Sequence, residues 1–353
     1  MENIKVKFKE IIPLIVLAVM ICAVVAAIVF GREDGDTRSK SYYTYFDTET
    51  VLTDYSGMGE DEFSEVCAAL ASALEKYHRL FDIYNEYEGV TNLATLNAAA
   101  GEGPVEISKE LYRLLEYSKE IYNVTGGEVN IAMGSVLSLW HERREEALAG
   151  EGAVIPTAEE LASAALHCHI DDLILDPEAM TAELRDPRMS LDVGAVAKGY
   201  TAELLADLLA SRGISGFIIN IGGNLRAVGE KPTGDGWLAG IRNPRTDTGL
   251  PYISEFYISD TSLVTSGDYM RYFEVGGVKY HHIIDKDTLM PAEYFSSVSI
   301  VTKNSGLADS LSTALFTMSL KDGRELIESL AESEGIERVV WVDTEGKVTV
   351  YEP

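Results

Sequence analysis

Positive charge is scarce in this 353-residue chain, which has 29 Lys and Arg residues against 57 Asp and Glu residues. The formal net charge of −28 argues against a nucleic-acid-binding protein, because such a surface repels phosphate backbones. Cysteine is scarce as well, and three cysteines exclude a disulfide scaffold. The sequence also lacks internal repeats and low-complexity tracts. An anionic ligand of this protein must therefore be held by a few local groups or by a metal ion.

The longest apolar run covers residues 11–30 and contains no charged side chain. At about 1.5 Å per residue it is long enough to cross a bilayer core of about 30 Å. Lysines precede the run and acidic residues follow it, so the positive-inside rule places the rest of the chain outside the cytoplasm. We therefore expect residues 1–30 to form a cytoplasmic tail and a transmembrane anchor of a single-pass cell-membrane protein. A cleaved signal peptide is the alternative.

Residues 31–40 are polar and are predicted to be a linker, which leaves 41–353 as one extracytoplasmic domain. Hydrophobic residues make up 46% of the chain, which excludes a disordered protein. Within the domain, Cys67 and Cys168 could form a disulfide or remain as buried thiols.

Apolar periodicity predicts helices that alternate with strands. Helical patterns cover 61–81, 108–122 and 196–212, and Thr157 and Glu160 form the capping box of another helix. Strand patterns cover Phe217–Ile221, 237–241, 256–258 and 298–301, and a terminal hairpin covers 339–342 and Val348–Tyr351. We therefore predict an α+β domain with a mixed sheet, arranged in two lobes around a cleft.

Several segments carry polar residues that packing does not explain, and the first is 190–200. A short strand meets a helix here through small residues, which let a ligand approach the backbone at a helix N-terminus that favours anions. Lys198 lies about one turn into that helix. The alternative is a tight connection in which Asp192 caps the helix.

The second segment is the apolar strand Phe217–Ile221, which ends in Gly222 and Gly223. This pattern is typical of a buried strand whose end meets a ligand, and a plain turn is the alternative.

The third segment contains two neighbouring histidines, His281 and His282. In an extended segment they point to opposite faces, so we expect one to act as a catalytic base and the other to lie on the surface. A zinc site is not favoured, because no third ligand follows at a recognised spacing.

The fourth segment is a helix over 305–318, in which Asp309 and Thr313 lie on the face opposite the leucines. A carboxylate and a hydroxyl four residues apart offer two hard oxygen donors, which suits Mg²⁺. The alternative is a solvated face on which the helix dipole favours Asp309. Because this face is not expected to be core, Asp309→Ala is expected to abolish turnover with little effect on folding.

These segments, together with others, resemble the ApbE family, the FAD:protein FMN transferases. The motifs occur in the order LDVGAVAKGY, INIGGNLRAVG, GIRNP, TSGDYMRYF, HHIID and ADSLSTALF. The resemblance runs from about Tyr42 to near the C-terminus and implies an ApbE-like fold. Asn130, His281 and Lys286 depart from the residues that are usual in the family.

The resemblance implies an enzyme with FAD as substrate and Mg²⁺ as cofactor. Such an enzyme attaches FMN from FAD to a Thr or Ser of an exported redox protein through a phosphoester bond and releases AMP. The implied catalytic base is His282. The implied metal ligands are the carbonyl of Ala195 with Asp309 and Thr313. The implied FAD contacts are Phe46, Tyr84, Glu128, Val129, Asn130, Asp192, Lys198 and Ile283.

Two other functions remain open beside this resemblance. Water in place of the protein hydroxyl would make the same site a Mg²⁺-dependent FAD pyrophosphatase that gives FMN and AMP. A non-catalytic FAD-binding protein is the third possibility, although pure binding needs neither a metal nor a base. The acceptor implied by the family is a subunit of a sodium-pumping or Rnf-type redox complex, or an exported electron-transfer lipoprotein.

Overall fold

The computed structural model describes residues 37–150, 152–245 and 249–353. The predicted membrane anchor and residues 31–36 of the predicted linker lie outside these ranges. Within them, no helix combines the length and the hydrophobicity needed to cross a bilayer. The first strand begins at Arg38, so the last three residues of the predicted linker belong to a strand.

The described residues contain eight α-helices, one short 3₁₀ helix (Ile170–Asp172) and fifteen strands. The helices are α1 (Glu60–Phe81), α2 (Leu93–Ala98), α3 (Lys109–Val124), α4 (Gly134–Ala149), α5 (Ala158–Ala165), α6 (Ala197–Ser211), α7 (Ser305–Thr317) and α8 (Leu320–Glu334). The strands are β1 (Arg38–Tyr45), β2 (Thr48–Asp54), β3 (Val105–Glu106), β4 (Leu173–Asp176), β5 (Thr181–Leu184), β6 (Phe217–Ile221), β7 (Asn224–Val228), β8 (Trp237–Arg242), β9 (Tyr252–Ile258), β10 (Ser262–Gly267), β11 (Tyr272–Val275), β12 (Val278–His281), β13 (Phe295–Thr302), β14 (Ile336–Asp343) and β15 (Val348–Tyr351).

The main sheet has eight strands in the order β1-β2-β6-β7-β10-β13-β14-β15. The predicted α+β class is confirmed, but the predicted mixed sheet is wrong, because every strand pair in the described part of the chain is antiparallel. Consecutive strands form the pairs β1–β2, β6–β7 and β14–β15, and two helices, α7 and α8, connect β13 to β14. A single helix would return the chain for a parallel strand, whereas a helix pair returns it antiparallel.

Both faces of the sheet centre are covered by apolar groups. Phe217, Ile219 and Ile221 of β6 pack with α1 and α6 on one face. Ile218 points to the other face, where the β8–β9 hairpin contributes Trp237. Two-sided burial explains why β6 is apolar apart from Asn220 instead of alternating with polar residues.

Local side-chain caps fix the starts of several helices. The predicted capping box is present, with the Thr157 hydroxyl accepting from the Glu160 amide at the start of α5. Ser108 and Asn304 cap α3 and α7 in the same way. These contacts depend on residues three positions apart, so the sequence alone is enough to predict them.

The two cysteines of the described residues do not form a disulfide. Cys67 is buried among the side chains between α1 and the sheet. Cys168 is half-buried, and its Sγ lies 3.3 Å from the Ser135 hydroxyl. The alternative of free, largely buried thiols is therefore correct, and the pairing is wrong.

Leu52 of β2 is fully buried between the sheet and α1, so Leu52→Ala should lower the free energy of unfolding by about 2–5 kcal/mol. Val350→Ala on β15 is the matched control, because Val350 is 47% exposed in the same sheet, and it should change stability by less than about 0.5 kcal/mol. Urea unfolding followed by the fluorescence of the buried Trp237 and Trp341 measures both changes. Equal effects of the two substitutions would contradict this packing.

Candidate active site

A cavity of about 730 Å³ opens where strand ends of the main sheet meet the first turns of α6 and α7. This volume lies in the range of small-molecule sites. All the site residues predicted from the sequence line it: Phe46, Tyr84, Glu128, Val129, Asn130, Asp192, Ala195, Lys198, His282, Ile283, Asp309 and Thr313. Their positions agree with one shared site, and their individual roles stay predictions.

A close approach of α6 to α7 places an acid beside a lysine at this cavity. The Gly199 amide donates to Asp309 Oδ2 at 2.8 Å, and Lys198 Nζ lies 3.7 Å from the same oxygen. A Cβ atom on Gly199 would lie only 2.3 Å from the Ser305 carbonyl oxygen. Only glycine therefore lets the two helices come close enough for this hydrogen bond.

Asp309 is more deeply enclosed than its helix pattern predicts. The residue is 4% exposed, and α7 is buried on nearly every side. Burial raises the pKa of Asp309 above its ordinary value, while the Lys198 charge and the Gly199 amide act to lower it. The expectation that the Asp309 face is not core is wrong. Because Asp309→Ala would leave the Gly199 amide without its acceptor, that substitution also threatens folding.

The oxygen donors at this cavity suit a hard cation. Asp309 offers a carboxylate, Thr313 a hydroxyl and Ala195 a backbone carbonyl, and all three residues line the cavity. No group of three His, Cys, Asp or Glu residues within the described ranges is arranged to hold a metal. A cation bound here would therefore have one carboxylate ligand and otherwise neutral oxygens. This donor set fits Mg²⁺, which takes few protein ligands.

Asp192 does not cap a helix. Its Oδ1 accepts from the Gly194 amide at 2.8 Å, and in the described structure no side chain caps α6. The strand predicted before it is reduced to an isolated bridge at Ser190. Burial raises the pKa of Asp192. The helix-capping alternative is therefore wrong, and the carboxylate lies at the cavity instead.

The turn after β6 is a tight hairpin at the cavity edge. Gly222 and Gly223 have φ values of 58° and 100°, as a two-residue turn requires, and Asn220 Oδ1 accepts from the Gly223 amide at 2.9 Å. The plain-turn alternative describes this geometry correctly. Gly222 and Asn224 nevertheless line the cavity, so the strand also ends at the site.

His281 and His282 have different surroundings, although both line the cavity and β12 ends at His281. His281 is 6% exposed, with Nε2 2.8 Å from the Ala292 carbonyl oxygen and its ring edge-to-face with Phe316. It therefore belongs to the core, and the expectation of a surface residue is wrong. The buried partner Phe316 comes from α7, which local alternation cannot reveal.

The His282 ring opens into the cavity with a defined tautomer. Nδ1 lies 3.2 Å from the Arg271 carbonyl oxygen, which can only accept, so Nδ1 carries the proton and Nε2 has a lone pair. The residue is exposed to solvent through the cavity, but desolvation by the surrounding protein atoms, followed by the charge of Arg271, lowers the pKa of His282 to about 3. The ring is thus neutral at physiological pH and able to accept a proton at Nε2.

Two of the predicted flavin contacts stand on opposite loops at the rim. Phe46 and Asp47 form the β1–β2 turn with φ values of 54° and 49°, a left-handed conformation that is uncommon outside glycine. Tyr84 is 57% exposed, and its ring lies 5.0 Å from that of His141. Both side chains are therefore placed to contact a ligand that enters the cavity.

The predicted contacts at 128–130 are held by other parts of the protein. Glu128 Oε2 accepts from the Thr317 hydroxyl at 3.0 Å, and Oε1 lies 3.4 Å from Lys286 Nζ. The side-chain amide of Asn130 donates from Nδ2 to the Cys168 carbonyl oxygen at 2.9 Å. Val129 is 3% exposed. Lys286, which departs from the family pattern, is thus paired with an acid of the cavity wall.

Arg144, Arg271 and His141 also line the cavity, although the sequence did not single them out as site residues. Arg144 donates from Nη2 to His141 Nδ1 at 2.9 Å. Arg271 lies within the motif TSGDYMRYF, so the resemblance offered a signal for it. Arg144 lies in the highly charged stretch HERREE of α4, which is typical of a solvated helix face, and no sequence signal marked it.

Comparison with known proteins identifies the relatives of this chain. The profile of the ApbE family matches residues 45–338. The FAD:protein FMN transferase of Treponema pallidum is 34% identical over 270 residues, covering 72% of each chain. The enzyme of the same name from Klebsiella pneumoniae is 30% identical over 253 residues, covering 69% of this chain and 76% of that one.

Solved structures share the fold. The ApbE protein of Thermotoga maritima superposes with a TM-score of 0.77 at 25% identity, covering 89% of this chain and 96% of that chain. The flavin transferase ApbE of Vibrio cholerae superposes with a TM-score of 0.73 at 24% identity, covering 90% and 97%.

Gly199→Ala should destabilise the protein by about 1–3 kcal/mol, because the added Cβ meets the backbone of α7. Gly59→Ala is the matched control, since no heavy atom lies within 4 Å of its Cβ position. Urea unfolding of both variants measures the difference. An unchanged midpoint for Gly199→Ala would show that the helices can separate without cost.

The His282 ring should stay neutral in the ligand-free protein at pH 5, where an unperturbed histidine is protonated. Folding lowers its pKa from 6.5 to about 3, so the unfolded chain binds this proton more readily and stability is lost as the pH falls below about 6.5. His282→Gln should therefore lose less stability than the unsubstituted protein between pH 7.5 and pH 4.5. An NMR titration midpoint of His282 near 6.5 would contradict this environment.

Proposed function

This chain belongs to the ApbE family, and from that premise we propose that it is a Mg²⁺-dependent FAD:protein FMN transferase. The observation that carries the proposal is the convergence of the predicted residues on one cavity. Asp309 and Lys198 stand on adjoining helix ends, and the His282 ring presents a lone pair to the same space. Pure FAD binding would need neither a metal nor a base.

Local positive charge is what allows an anionic substrate to bind so acidic a chain. In the proposed complex, Lys198 would contact the FAD pyrophosphate, and Arg144 and Arg271 add positive charge along the described cavity wall. The first turn of α6, which carries Lys198, contributes the partial charge of a helix N-terminus. These groups act at contact distance, where they outweigh the net charge of the remote surface.

The residues that would hold Mg²⁺ are Asp309, Thr313 and the carbonyl of Ala195. When bound, the ion neutralises phosphate charge and makes the phosphorus next to FMN more electrophilic. Asp309 is the acidic member of this set, and its Oδ2 is oriented by the Gly199 amide. The carboxylate is therefore positioned before any ligand arrives, which reduces reorganisation during reaction.

The proposed reaction is an in-line displacement at the FMN phosphorus. A Thr or Ser hydroxyl of the acceptor protein forms the new O–P bond, the P–O–P bond of FAD breaks, and AMP leaves. His282 Nε2 takes the hydroxyl proton. An anionic phosphate beside the ring would raise the pKa of His282 towards the working pH, so the base becomes stronger where it is needed.

We also propose that the reaction takes place on the outer side of the cell membrane. The support is the apolar run at 11–30 with lysines before it and acidic residues after it. The acceptor would then be an exported redox protein.

Asp309→Asn tests this proposal with the least disturbance, because the amide oxygen can still accept from Gly199 while the charge is lost. We expect FMN transfer to fall at least about 100-fold while the protein stays folded. Asp322→Asn on α8 is the control, since that carboxylate is outside the cavity lining. The assay incubates the protein with FAD, MgCl₂ and a Thr-containing acceptor peptide, and follows flavin fluorescence on the peptide together with AMP.

Each outcome of this assay decides between functions. Labelled peptide with AMP supports transfer, and loss of labelling on Mg²⁺ chelation supports the cofactor. FMN and AMP without labelling would replace the proposal by a pyrophosphatase. Binding of FAD without turnover would overturn both enzymatic functions, and full activity of Asp309→Asn would overturn the metal site.

A further inference from the structure

A chain of hydrogen bonds runs behind the cavity rim and joins its two aromatic loops. The Phe46 amide donates to His78 Nδ1 at 3.3 Å, and His78 Nε2 lies 3.4 Å from the Tyr87 hydroxyl. That hydroxyl donates to Asp82 Oδ2 at 2.7 Å. The other oxygen of Asp82 accepts from the Tyr84 amide at 2.7 Å. His78 also lines the cavity.

The proton positions in this chain are set by its ends. Because an amide can only donate, His78 Nδ1 is the acceptor, and the neutral ring carries its proton on Nε2. Nε2 then donates to the Tyr87 oxygen, which donates onward to the carboxylate. Every donor has one acceptor, so the chain has a single direction from Phe46 to Asp82.

One end of the hydrogen-bond chain holds an unusual backbone conformation, and the other end positions the loop that carries Tyr84. Phe46 has a φ of 54°, a conformation that costs free energy in a residue other than glycine and persists only where the surroundings hold it. The His78 ring supports it twice, through the amide and through an edge contact with the Phe46 ring at 5.7 Å. At the other end, the exposed Tyr84 ring depends on Asp82 for the position of its backbone.

We propose that His78 is a positioning residue for nucleotide binding, which fixes the Phe46 turn directly and the Tyr84 loop through Tyr87 and Asp82. This inference rests on the proposed function, because it assumes that Phe46 and Tyr84 contact FAD. His78 acts through these two residues and takes no part in the transfer step. Its contribution is to keep two separate loops in one relative position before the substrate binds, which reduces the entropy that binding would otherwise lose in ordering them.

Three substitutions separate the two links of the chain. In His78→Asn, the amide oxygen can replace Nδ1 as acceptor for Phe46 but does not reach Tyr87. In Tyr87→Phe, the hydrogen bonds of the hydroxyl to His78 and to Asp82 are lost, and the link between His78 and Phe46 remains. In His78→Phe, both links are lost while an aromatic ring still packs on Phe46. Tyr257→Phe on β9 is the matched control, because Tyr257 is 71% exposed and away from the cavity lining.

We expect His78→Phe to weaken FAD binding about tenfold and the other two variants to weaken it less. The double variant His78→Phe/Tyr87→Phe should weaken binding by less than the sum of the two single losses of binding free energy, because both substitutions remove the His78–Tyr87 link. The transfer rate at saturating FAD should change by a smaller factor than the KM for FAD. Titration of intrinsic fluorescence with FAD and Mg²⁺, and the transfer assay, measure these effects on the full-length protein.

A second readout works without FAD and separates this inference from the proposed function. Hydrogen exchange of the ligand-free protein should be faster at 44–48 in His78→Phe, and at 83–87 in both His78→Phe and Tyr87→Phe. If the unsubstituted protein binds FAD and all variants bind it equally well, the positioning role is wrong and the proposed function stands. If the unsubstituted protein does not bind FAD, the proposed function fails. Unchanged exchange in His78→Phe would overturn the chain of hydrogen bonds itself.

Discussion

The hydrogen bond between the Gly199 amide and the Asp309 carboxylate is the constraint on which the cavity depends. It joins the first turn of α6 to the first turns of α7, and it exists because residue 199 has no Cβ. A buried carboxylate without partners would cost several kcal/mol, so the Gly199 amide and the Lys198 ammonium stabilise the folded protein around Asp309. The same contact thus fixes the packing of α6 against α7 and the positions of Asp309 and Lys198.

Features decided by neighbouring residues could be predicted from the sequence. The strand Phe217–Ile221 matches its prediction to the residue, and the capping box at Thr157 is present. The family resemblance added what local rules cannot supply, namely which distant segments share one site.

Features decided by distant partners could not be predicted in this way. The burial of Asp309 depends on α6, which lies about a hundred residues earlier, and the burial of His281 depends on Phe316. The antiparallel pairing of β13 with β14 depends on the two helices that connect them. Arg144 was not predicted as a site residue, because a charged helix face has the same sequence pattern whether it faces solvent or the rim of a cavity.

The surface carboxylates and the charged side chains of the cavity wall act over different distances. At physiological ionic strength, charges more than about 8 Å apart are largely screened in solvent, so most of the surface carboxylates have little effect inside the site. Lys198, Arg144 and Arg271 line an enclosed space, where screening is weaker. The net charge of −28 therefore says much about solubility and little about which ligand the cavity accepts.

The order of strands in the main sheet has a consequence for folding during synthesis of the protein. β2 pairs with β6 across more than 160 residues, and the cavity takes walls from both Phe46 and Thr313. Such long-range pairing folds slowly, and it cannot begin until most of the chain is available. A growing polypeptide thus has no complete cavity until α7 has been made and docked, so a ligand finds its full set of contacts only after most of the chain has been synthesised.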